Sequence, residues 1–305
     1  MYVMFFVHGD GGYQNFVGKH RQKRHDVSMT FTLKTSREML ITQPRLTLPA
    51  PDTHKYLRGH AMVISGPVLK TGASRLCAQA ALAVGAGLVT ILGDRPALCE
   101  QAAHVTAIML REKDATLSAI DDRVRAIAVG PGAGADDSLR LLVLQLLALK
   151  KPVLLDADAL TVFSDGNIQL FNAISEDVVM TPHLGEFARL FPDIATADPV
   201  AAAVEAARRS GSVVLLKGTH SVIAAPTGRF AINRHSSPWL ATAGSGDILS
   251  GMVCGLLAQG VPAFDAAAIA AWLHGDIGIR AGAGLTADRM AEYIPLVLQG
   301  CLQEG

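Results

Sequence analysis

The chain has 305 residues, of which 50% are hydrophobic and 18% charged, a composition that excludes a disordered protein and a small disulfide-stabilised fold. Its 27 basic and 27 acidic residues cancel, which argues against a protein that mainly coats nucleic acid or an anionic membrane. The charge is uneven, because residues 1–60 hold nine basic and four acidic residues and the remainder holds 18 and 23. The four cysteines are far apart and form no CxxC pair, which predicts a cytoplasmic protein without structural zinc.

Residues 1–40 show no sustained hydrophobic period and include the basic run KHRQKRHD at 19–26. We interpret this segment as a poorly ordered basic head, or as the product of an upstream start codon with Met29 as the true initiator. An RNA-binding or membrane-binding patch is the alternative. The apolar opening MYVMFFV is too short for a signal peptide, and no run of about 18 apolar residues predicts a transmembrane helix.

From residue 60 onward, short β-branched or leucine-rich runs alternate with longer amphipathic stretches, which is typical of a parallel sheet with helices on both faces. No linker divides this part, so residues 41–305 are predicted to form a single α/β domain. Residues 221–233 instead indicate a hairpin at one end of the sheet, with its turn at 226–228. Strands are predicted at 61–65, 88–92, 126–130, 152–156, 177–181, 212–217 and 221–225, and helices at 73–85, 137–149, 198–209, 245–258, 264–281 and 286–300.

The sharpest candidate site is the loop Gly244-Ser245-Gly246-Asp247, which leads into an apolar helix. Backbone N–H groups at a helix start bind anions, and Asp247 could deprotonate a hydroxyl beside a bound phosphate. Alternatively, Asp247 or Ser245 merely caps the helix. A second glycine loop, at 130–134, fits neither a Walker A sequence nor GxGxxG, and is either a close approach to a ligand or an ordinary turn.

Charged residues also follow three other predicted strands, at the edge where ligands bind to an open parallel sheet. Asp156 and Asp158 could attract a metal or a hydroxyl, or Asp158 could cap a short helix. His183 and Glu186 lie one helical turn apart, and we expect His183 to contact substrate and Glu186 to lie near a magnesium–phosphate cluster. Lys217 could bind a phosphate, with a surface lysine as the alternative.

These segments, in this order, resemble the ADP/ATP-dependent NAD(P)H-hydrate dehydratase family, which has the ribokinase-like fold. The resemblance covers about residues 46–300. It implies dehydration of the S form of NADH or NADPH hydrate, with ADP as co-substrate and AMP and phosphate as products. The motifs that carry it are TGASRLCAQAALAVGAGLVTI, AVGPGAG, VLLDADAL, TPHLGEFARL, VVLLKGTHSVIAAP and ATAGSGDILSGMVCGLLAQG.

The resemblance also implies a role for each matching residue. Asp247 would be the catalytic base that activates the ring hydroxyl, beside an anion hole formed by residues 244–246. Mg²⁺ would neutralise the phosphates, with Glu186 near it. The hydrate would contact Ala73, Gly132 or Gly134, His183 and Asp247, and the adenine nucleotide would contact Lys217, Gly218, Thr219, His220, Ser221, Gly244, Ser245 and Gly246.

Three segments depart from the family's usual pattern: Ser65-Gly66-Pro67, Ala243, and the loop at 234–239. Because Ala243 adds a Cβ and restricts φ, we expect nucleotide affinity or choice to be altered. The resemblance further implies a tetramer of identical subunits. The residues ahead of the match are too few for a fused epimerase domain, so we expect the NAD(P)H-hydrate epimerase to be a separate partner.

Two other functions stay open. A small-molecule kinase of the same fold, acting with ATP on a thiazole, pyrimidine or pyridoxal alcohol, would keep Asp247 but would not need His183 in its TPHxxE setting. A non-catalytic module that binds a mononucleotide is the third hypothesis, suggested by the altered loops. No nucleic-acid or membrane partner is expected.

Overall fold

The computed structural model of the chain describes residues 30–32 and 39–302, so the basic run at 19–26 lies outside it. Within the described residues, nine strands form one sheet in the order β11-β10-β9-β8-β7-β6-β3-β4-β5. A separate antiparallel pair joins β1 to β2. The strands are β1 Thr30–Thr32, β2 Arg45–Thr47, β3 His60–Ile64, β4 Leu88–Gly93, β5 Met109–Glu112, β6 Val124–Val129, β7 Val153–Leu155, β8 Val178–Met180, β9 Val213–Leu216, β10 Ser221–Ala224 and β11 Phe230–Asn233.

Helices alternate with strands through much of the chain, and the last three helices follow one another after β11. The helices are α1 Gly72–Ala83, α2 Arg95–Ala102, α3 Asp137–Ala148, α4 Asp158–Thr161, α5 Asn167–Ala173, α6 Leu184–Leu190, α7 Pro199–Ser210, α8 Ser245–Ala258, α9 Ala263–Ala281 and α10 Ala287–Gly300, with a 3₁₀ turn at Pro238–Leu240. Every strand and helix predicted above is present to within a few residues. The described helices include none that is both long and apolar enough to cross a bilayer.

Strands β3 to β9 are parallel to one another, and β10 and β11 add an antiparallel hairpin at one edge, as predicted. The central strands are apolar on both sides because helices cover both faces of the sheet. In β3, Ala61 and Val63 pack into one hydrophobic core, and Met62 and Ile64 pack into the other. The α/β fold with helices on both faces is therefore confirmed.

Several parts of the fold were not predicted, among them the short helices α2, α4, α5 and α6. Strand β5 is an edge strand whose residues are mostly exposed, so it lacks the apolar run that marked the other strands. Three residues of the segment interpreted as a poorly ordered head form strand β1, and Met39 O of the same segment accepts a hydrogen bond from Ile232 N of β11 (2.9 Å). The order of the rest of that segment stays a prediction.

The carboxyl ends of β8 and β9 are held together beyond the strands themselves. Lys217 N donates to Pro182 O (2.9 Å), and a parallel bridge pairs His183 with Lys217. Helix α8 packs against α1 and beneath the central strands, so its first turn reaches the same edge of the sheet. The segments TPHLGE, KGTHS and GSGD therefore meet at one edge, as the strand order requires.

Candidate active site

A cavity of about 670 Å³ opens at this edge of the sheet. Its wall contains seven of the eight residues predicted to bind the nucleotide and also His183, the predicted hydrate contact. The loop after β11 supplies the opposite wall. The nucleotide-binding residues that line it are Lys217, Gly218, Thr219, His220, Ser221, Ser245 and Gly246.

The chain enters α8 through Gly244, which lies beside the cavity lining. Its φ is +86°, and a Cβ there would lie 2.7 Å from Leu76 Cδ1 and 2.8 Å from Ala287 Cβ. Only glycine fits this left-handed position without strain. Ala243 is not among the non-glycine residues with positive φ, so the Cβ that departs from the family pattern introduces no backbone strain. The loop that starts α8 is therefore unstrained, and helix starts of this kind can bind an anion through free N–H groups. Ser245 N already donates to Thr242 O (3.3 Å) and Asp247 N to Gly244 O (3.1 Å).

Asp247 lies in that first turn and is partly buried. Burial raises its pKa to about 6; the negative charges of Asp156 and Asp158 also raise it, and the ammonium of Lys217 opposes them. A carboxyl with a pKa near the working pH is well matched to accept a proton from a reacting hydroxyl. No side-chain hydrogen bond caps α8 at its N-cap residue Gly244, and the role of Asp247 as the base stays a prediction.

The raised pKa of Asp247 predicts a pH-dependent effect on stability. Because the folded pKa lies above the ordinary value of 3.8, ionisation of Asp247 disfavours the folded state, and this cost appears as pH rises from about 4 to about 6. Asp247→Asn should therefore raise the free energy of unfolding by less than about 1 kcal/mol near pH 4 and by about 2 to 3 kcal/mol above pH 6. Urea unfolding of both proteins at pH 4, 5, 6 and 7 tests this prediction. It would be contradicted if the difference in unfolding free energy between the variant and the unmodified protein decreased as pH rises.

A buried ion pair joins β7, β9 and α8 at the floor of the site. Lys217 Nζ donates to Asp156 Oδ1 (2.8 Å), and Ser250 Oγ donates to Asp156 Oδ2 (2.6 Å). Asp156 is only 1% exposed. Burial lowers the pKa of Lys217, but Asp156 and Glu186 more than offset this, so the net shift is upward. Lys217 is thus a charged residue of the cavity wall, and the surface-lysine alternative is wrong.

Asp158 does not cap its own helix but accepts a hydrogen bond from Gly134 N (2.8 Å). Ala157 has a φ of +49°, a region that alanine rarely occupies, and this turn separates the neighbouring carboxylates. Asp158 thereby holds the glycine loop at 130–134. In the same loop, a Cβ on Gly132 would lie 3.1 Å from Ala73 Cβ, so these two predicted hydrate contacts are adjacent.

His183 is the N-cap of α6, one residue before the helix begins, and its side chain lies beside that of Glu186, as the spacing predicted. Its Nδ1 accepts from Gly185 N (2.9 Å) and Glu186 N (3.3 Å), while Glu186 Oε2 accepts from His183 N (2.8 Å). This is a reciprocal capping box. Because Nδ1 is an acceptor, the neutral ring carries its proton on Nε2, which is 3.5 Å from Glu186 Oε1. His183 is exposed and can offer this N–H to a ligand.

The donor set does not fit a metal ion held by the protein alone. Glu186 is buried and occupied by the capping box, and its Oε2 is also 3.9 Å from Lys217 Nζ. In the described part of the chain, no group of three or more His, Cys, Asp or Glu side chains is placed to hold a metal. The assignment of Glu186 to a magnesium cluster therefore stays a prediction without a supporting ligand set.

The loop at 234–238 forms the far wall of the cavity and is held against α9 by ring stacking and hydrogen bonds, which together we call the clamp. The ring of His235 stacks on Trp272 with centroids 4.4 Å apart, and its Nε2 lies 2.9 Å from Asp276 Oδ1. Asn233 Nδ2 donates to His235 O (3.1 Å) and to Ala271 O (2.9 Å). The sequence departs from the family here, and these contacts show how the altered loop is fixed in place.

Gly275 is the point where α9 touches this loop most closely. A Cβ at Gly275 would lie 1.6 Å from His235 O, so Gly275→Ala must push the loop away from the helix. We expect a loss of about 1 to 3 kcal/mol in unfolding free energy and weaker nucleotide binding, measured by urea unfolding and calorimetry. Gly72→Ala is the stability control, because nothing lies within 4 Å of its added Cβ. Equal stability of the two variants would contradict the predicted clamp.

Sequence reasoning missed three parts of the site: the Ser250 bond to Asp156, the clamp on the loop at 234–238, and His274. His274 lies on α9 and lines the cavity, and its Nε2 is 2.9 Å from Ser245 Oγ. A lone histidine in an alanine-rich helix carries no signal of its own. Its position could be found only from the packing of α9 against α8.

Known proteins resemble the chain over this whole region. The family model described as NAD(P)H-hydrate dehydratase matches residues 61–296. The bifunctional NAD(P)H-hydrate repair enzyme of Synechocystis sp. is 39% identical over 272 residues, which cover 83% of this chain and 51% of that protein. The chain thus spans about half the length of this relative.

Two further proteins match over most of their own length. The ADP-dependent (S)-NAD(P)H-hydrate dehydratase of Neisseria meningitidis is 35% identical over 252 residues, which cover 80% of this chain and 85% of that protein. The structure of the ADP/ATP-dependent NAD(P)H-hydrate dehydratase from Bacillus subtilis, co-crystallised with ATP and Mg²⁺, aligns with a TM-score of 0.72 and 26% identity, covering 83% of this chain and 93% of that one. The chain therefore belongs to the ADP-dependent (S)-NAD(P)H-hydrate dehydratase family and has the ribokinase-like fold.

Proposed function

We propose that the chain dehydrates the S form of NADH or NADPH hydrate at the expense of ADP, releasing the reduced nucleotide, AMP and phosphate. The observation that carries this proposal is the placement of Asp247. A carboxyl with its pKa raised to about 6 lies in the first turn of a helix beside a cavity lined by the predicted nucleotide contacts. The family relationship and the name of the Neisseria relative support the same activity.

The chemistry divides between a base and an anion site. The Asp247 carboxylate accepts the proton of the hydroxyl on the hydrated ring while the hydroxyl oxygen attacks the terminal phosphorus of ADP. The bond from that phosphorus to the bridging oxygen breaks, and AMP leaves. The N–H groups of residues 244–246 stabilise the transferred phosphoryl group, and Lys217 contributes positive charge. Loss of phosphate, with a proton from the adjacent ring carbon, then restores the double bond.

We assign the hydrate to the side of the site formed by Ala73, Gly132, Gly134, His183 and Asp247. His183 offers its Nε2–H there because its other nitrogen is occupied by the cap of α6. The nucleotide occupies the cavity, where Lys217 to Ser221 follow β9 and face the loop at 234–238. Asp247 lies close enough to Lys217, Asp156 and Asp158 for their charges to shift its pKa. Because Lys217 belongs to the proposed nucleotide side, we propose that Asp247 lies between the two ligands.

Magnesium enters the proposal as a partner of the nucleotide, as in the Bacillus subtilis structure, which was co-crystallised with ATP and Mg²⁺. When bound, it supplies charge neutralisation at the phosphates. The described residues do not form a protein-held site for it, so phosphate oxygens and water would provide its ligands. Omission of Mg²⁺ should weaken nucleotide binding.

The proposed functional partner is an NAD(P)H-hydrate epimerase, which would convert the R form of the hydrate into the S form used here. The relative from Synechocystis sp. is named a bifunctional NAD(P)H-hydrate repair enzyme, as are relatives from Mycobacterium tuberculosis and Moorella thermoacetica. The chain matches about half of each of these proteins. Assembly into a tetramer stays a prediction.

The experiment that tests this function against the kinase alternative is an analysis of products. Purified protein is incubated with Mg²⁺ and either ADP or ATP, together with NADH hydrate, hydroxyethylthiazole, hydroxymethylpyrimidine or pyridoxal. We expect consumption of NADH hydrate, with one AMP and one phosphate formed per NADH when ADP is supplied. Phosphorylation of one of the alcohols by ATP, with the hydrate unchanged, would instead establish the kinase.

A further inference from the structure

The anion loop is in contact with a histidine that the proposed reaction does not use. His274 Nε2 lies 2.9 Å from Ser245 Oγ and 3.0 Å from Ser245 O, so one ring nitrogen touches the same residue twice. Ser245 itself is only 5% exposed, yet both residues line the nucleotide cavity. The pair therefore joins α9 to the start of α8 at the place where a phosphate is expected.

The backbone contact determines which atom carries the hydrogen. A carbonyl oxygen can only accept a hydrogen bond, so His274 Nε2 must bear the hydrogen that it shares with Ser245 O and Ser245 Oγ. Ser245 Oγ then accepts from the ring, and its own O–H hydrogen remains available. In the opposite arrangement, Nε2 would face the carbonyl with a lone pair, which is repulsive.

The surroundings of the ring support a neutral histidine. Burial lowers the pKa of His274 to about 4; a hydrogen bond to the Ser245 backbone opposes this shift, and the charge of Lys217 adds to it. At neutral pH the ring therefore holds a single hydrogen, which the contact with Ser245 O places on Nε2. A neutral donor at this point fixes Ser245 without adding a positive charge to the loop.

We propose that His274 is a positioning residue that orients the Ser245 hydroxyl as a hydrogen-bond donor to the phosphoryl group transferred from ADP. This inference rests on the proposed function, because it assigns the anion loop to the phosphate that leaves AMP. The N–H groups of the loop then act together with one side-chain O–H. The histidine contributes through Ser245, and it does not itself touch the phosphate.

The inferred position of the Ser245 hydroxyl predicts different effects on ADP binding and on AMP binding. AMP lacks the transferred phosphoryl group, so its affinity should not depend on His274, whereas the affinity for ADP should. His274→Leu removes the donor, and His274→Gln keeps an N–H near the position of Nε2. Ser245→Ala removes the hydroxyl that the histidine is inferred to orient.

The experiment is a calorimetric measurement of ADP and AMP binding to the full chain and to these variants, with Mg²⁺ present. His274→Leu and Ser245→Ala should each raise the Kd for ADP by about tenfold and leave the Kd for AMP within about twofold of its original value. The double variant should be no weaker than either single one, because both changes remove the same bond. His274→Gln should recover most of the ADP affinity.

Ile269→Ala is the matched control for a structural effect, because Ile269 is a buried core residue on the same helix and is not part of the cavity wall. Ile269→Ala should lower the melting temperature and leave the ratio of the Kd values for ADP and AMP unchanged. The proposal is overturned if the variants raise the Kd values for ADP and AMP equally, or if the effects of His274→Leu and Ser245→Ala on the Kd for ADP multiply in the double variant. It is also overturned if His274→Gln binds ADP as weakly as His274→Leu, or if the unmodified chain does not bind ADP.

These binding data, together with the dehydration assay described under the proposed function, separate this inference from that function. If the unmodified chain binds ADP and shows the coupling between His274 and Ser245 but does not dehydrate NADH hydrate, the function is wrong and the positioning role stands. If it dehydrates the hydrate and the coupling is absent, the function stands and the positioning role is wrong.

Discussion

Replacement of Asp247 by asparagine is expected to lower kcat for dehydration of NADH hydrate by about 10² to 10⁴-fold. The amide has nearly the same shape as the carboxyl group but cannot accept the proton of the ring hydroxyl. Because Asp247 lies in the first turn of α8 and outside the cavity lining, nucleotide affinity should change by no more than about threefold. Steady-state kinetics and calorimetry measure the two quantities separately.

Asp265→Asn is the matched control for this experiment. Asp265 is also buried, and burial raises its pKa, although the ion pair with Arg229 opposes the shift. It accepts from Arg229 Nη2 at 3.0 Å and lies outside the cavity lining. This variant should keep its kcat within about twofold. An Asp247→Asn enzyme as active as the control would mean that the base has been assigned to the wrong residue.

Loss of the Asp156 carboxylate should produce the largest loss of stability. Asp156→Asn would remove the negative charge that contacts the buried ammonium of Lys217 and would leave Glu186 Oε2, at 3.9 Å, and the charge of Asp247 as its weaker partners. Removal of one member of a buried ion pair costs about 3 to 5 kcal/mol of unfolding free energy, because the other charge stays uncompensated. Urea unfolding at pH 7 measures this loss.

Two comparisons identify the buried charge as the cause. Asp158→Asn changes a neighbouring carboxylate that makes one hydrogen bond to Gly134 N, so it should cost about 1 kcal/mol. The double variant Asp156→Asn with Lys217→Met should be more stable than Asp156→Asn alone, since it removes the unpaired charge. A double variant that is less stable than the single one would show that the ion pair does not dominate.

The elements that could be predicted from sequence are those whose pattern reflects their burial. Strand β3 is apolar from Ala61 to Ile64 because both of its sides are covered there, and α8 has an apolar face because it packs beneath the sheet. Strand β5 escaped prediction because it lies at the sheet edge and Met109, Arg111 and Glu112 are exposed. Helix α6 was missed because it has only seven residues and begins at a side-chain cap.

The site could be predicted only where its residues adjoin one another in sequence. The segments at 217–221 and 244–247 carry their own signals, and the structure places residues 217–221, Ser245 and Gly246 in the wall of one cavity. The side-chain hydrogen bonds of the site could not be predicted, because their partners are distant in sequence. Lys217 and Asp156 are 61 residues apart, and His274 and Ser245 are 29 apart. Such pairs depend on how the helices pack, which hydrophobic periodicity does not reveal.

The net charge of the chain does not indicate the charge of the ligands that the site is proposed to bind. Residues 61–305 carry 18 basic and 23 acidic residues, yet the proposed ligands are polyanions. Their attraction must arise locally, from the amides at the start of α8 and from Lys217, whose ammonium lies in the cavity wall. Overall charge therefore says little about the ligands of this protein.

The most direct test of the proposed function is recovery of the reduced-nicotinamide absorbance. Purified protein is mixed with the S form of NADH hydrate, Mg²⁺ and ADP, and the absorbance is followed beside matched samples that lack ADP or contain the Asp247→Asn variant. We predict that the absorbance returns only in the complete sample with unmodified protein. No recovery with either ADP or ATP, or equal recovery by the variant, would contradict the proposed function and its catalytic base.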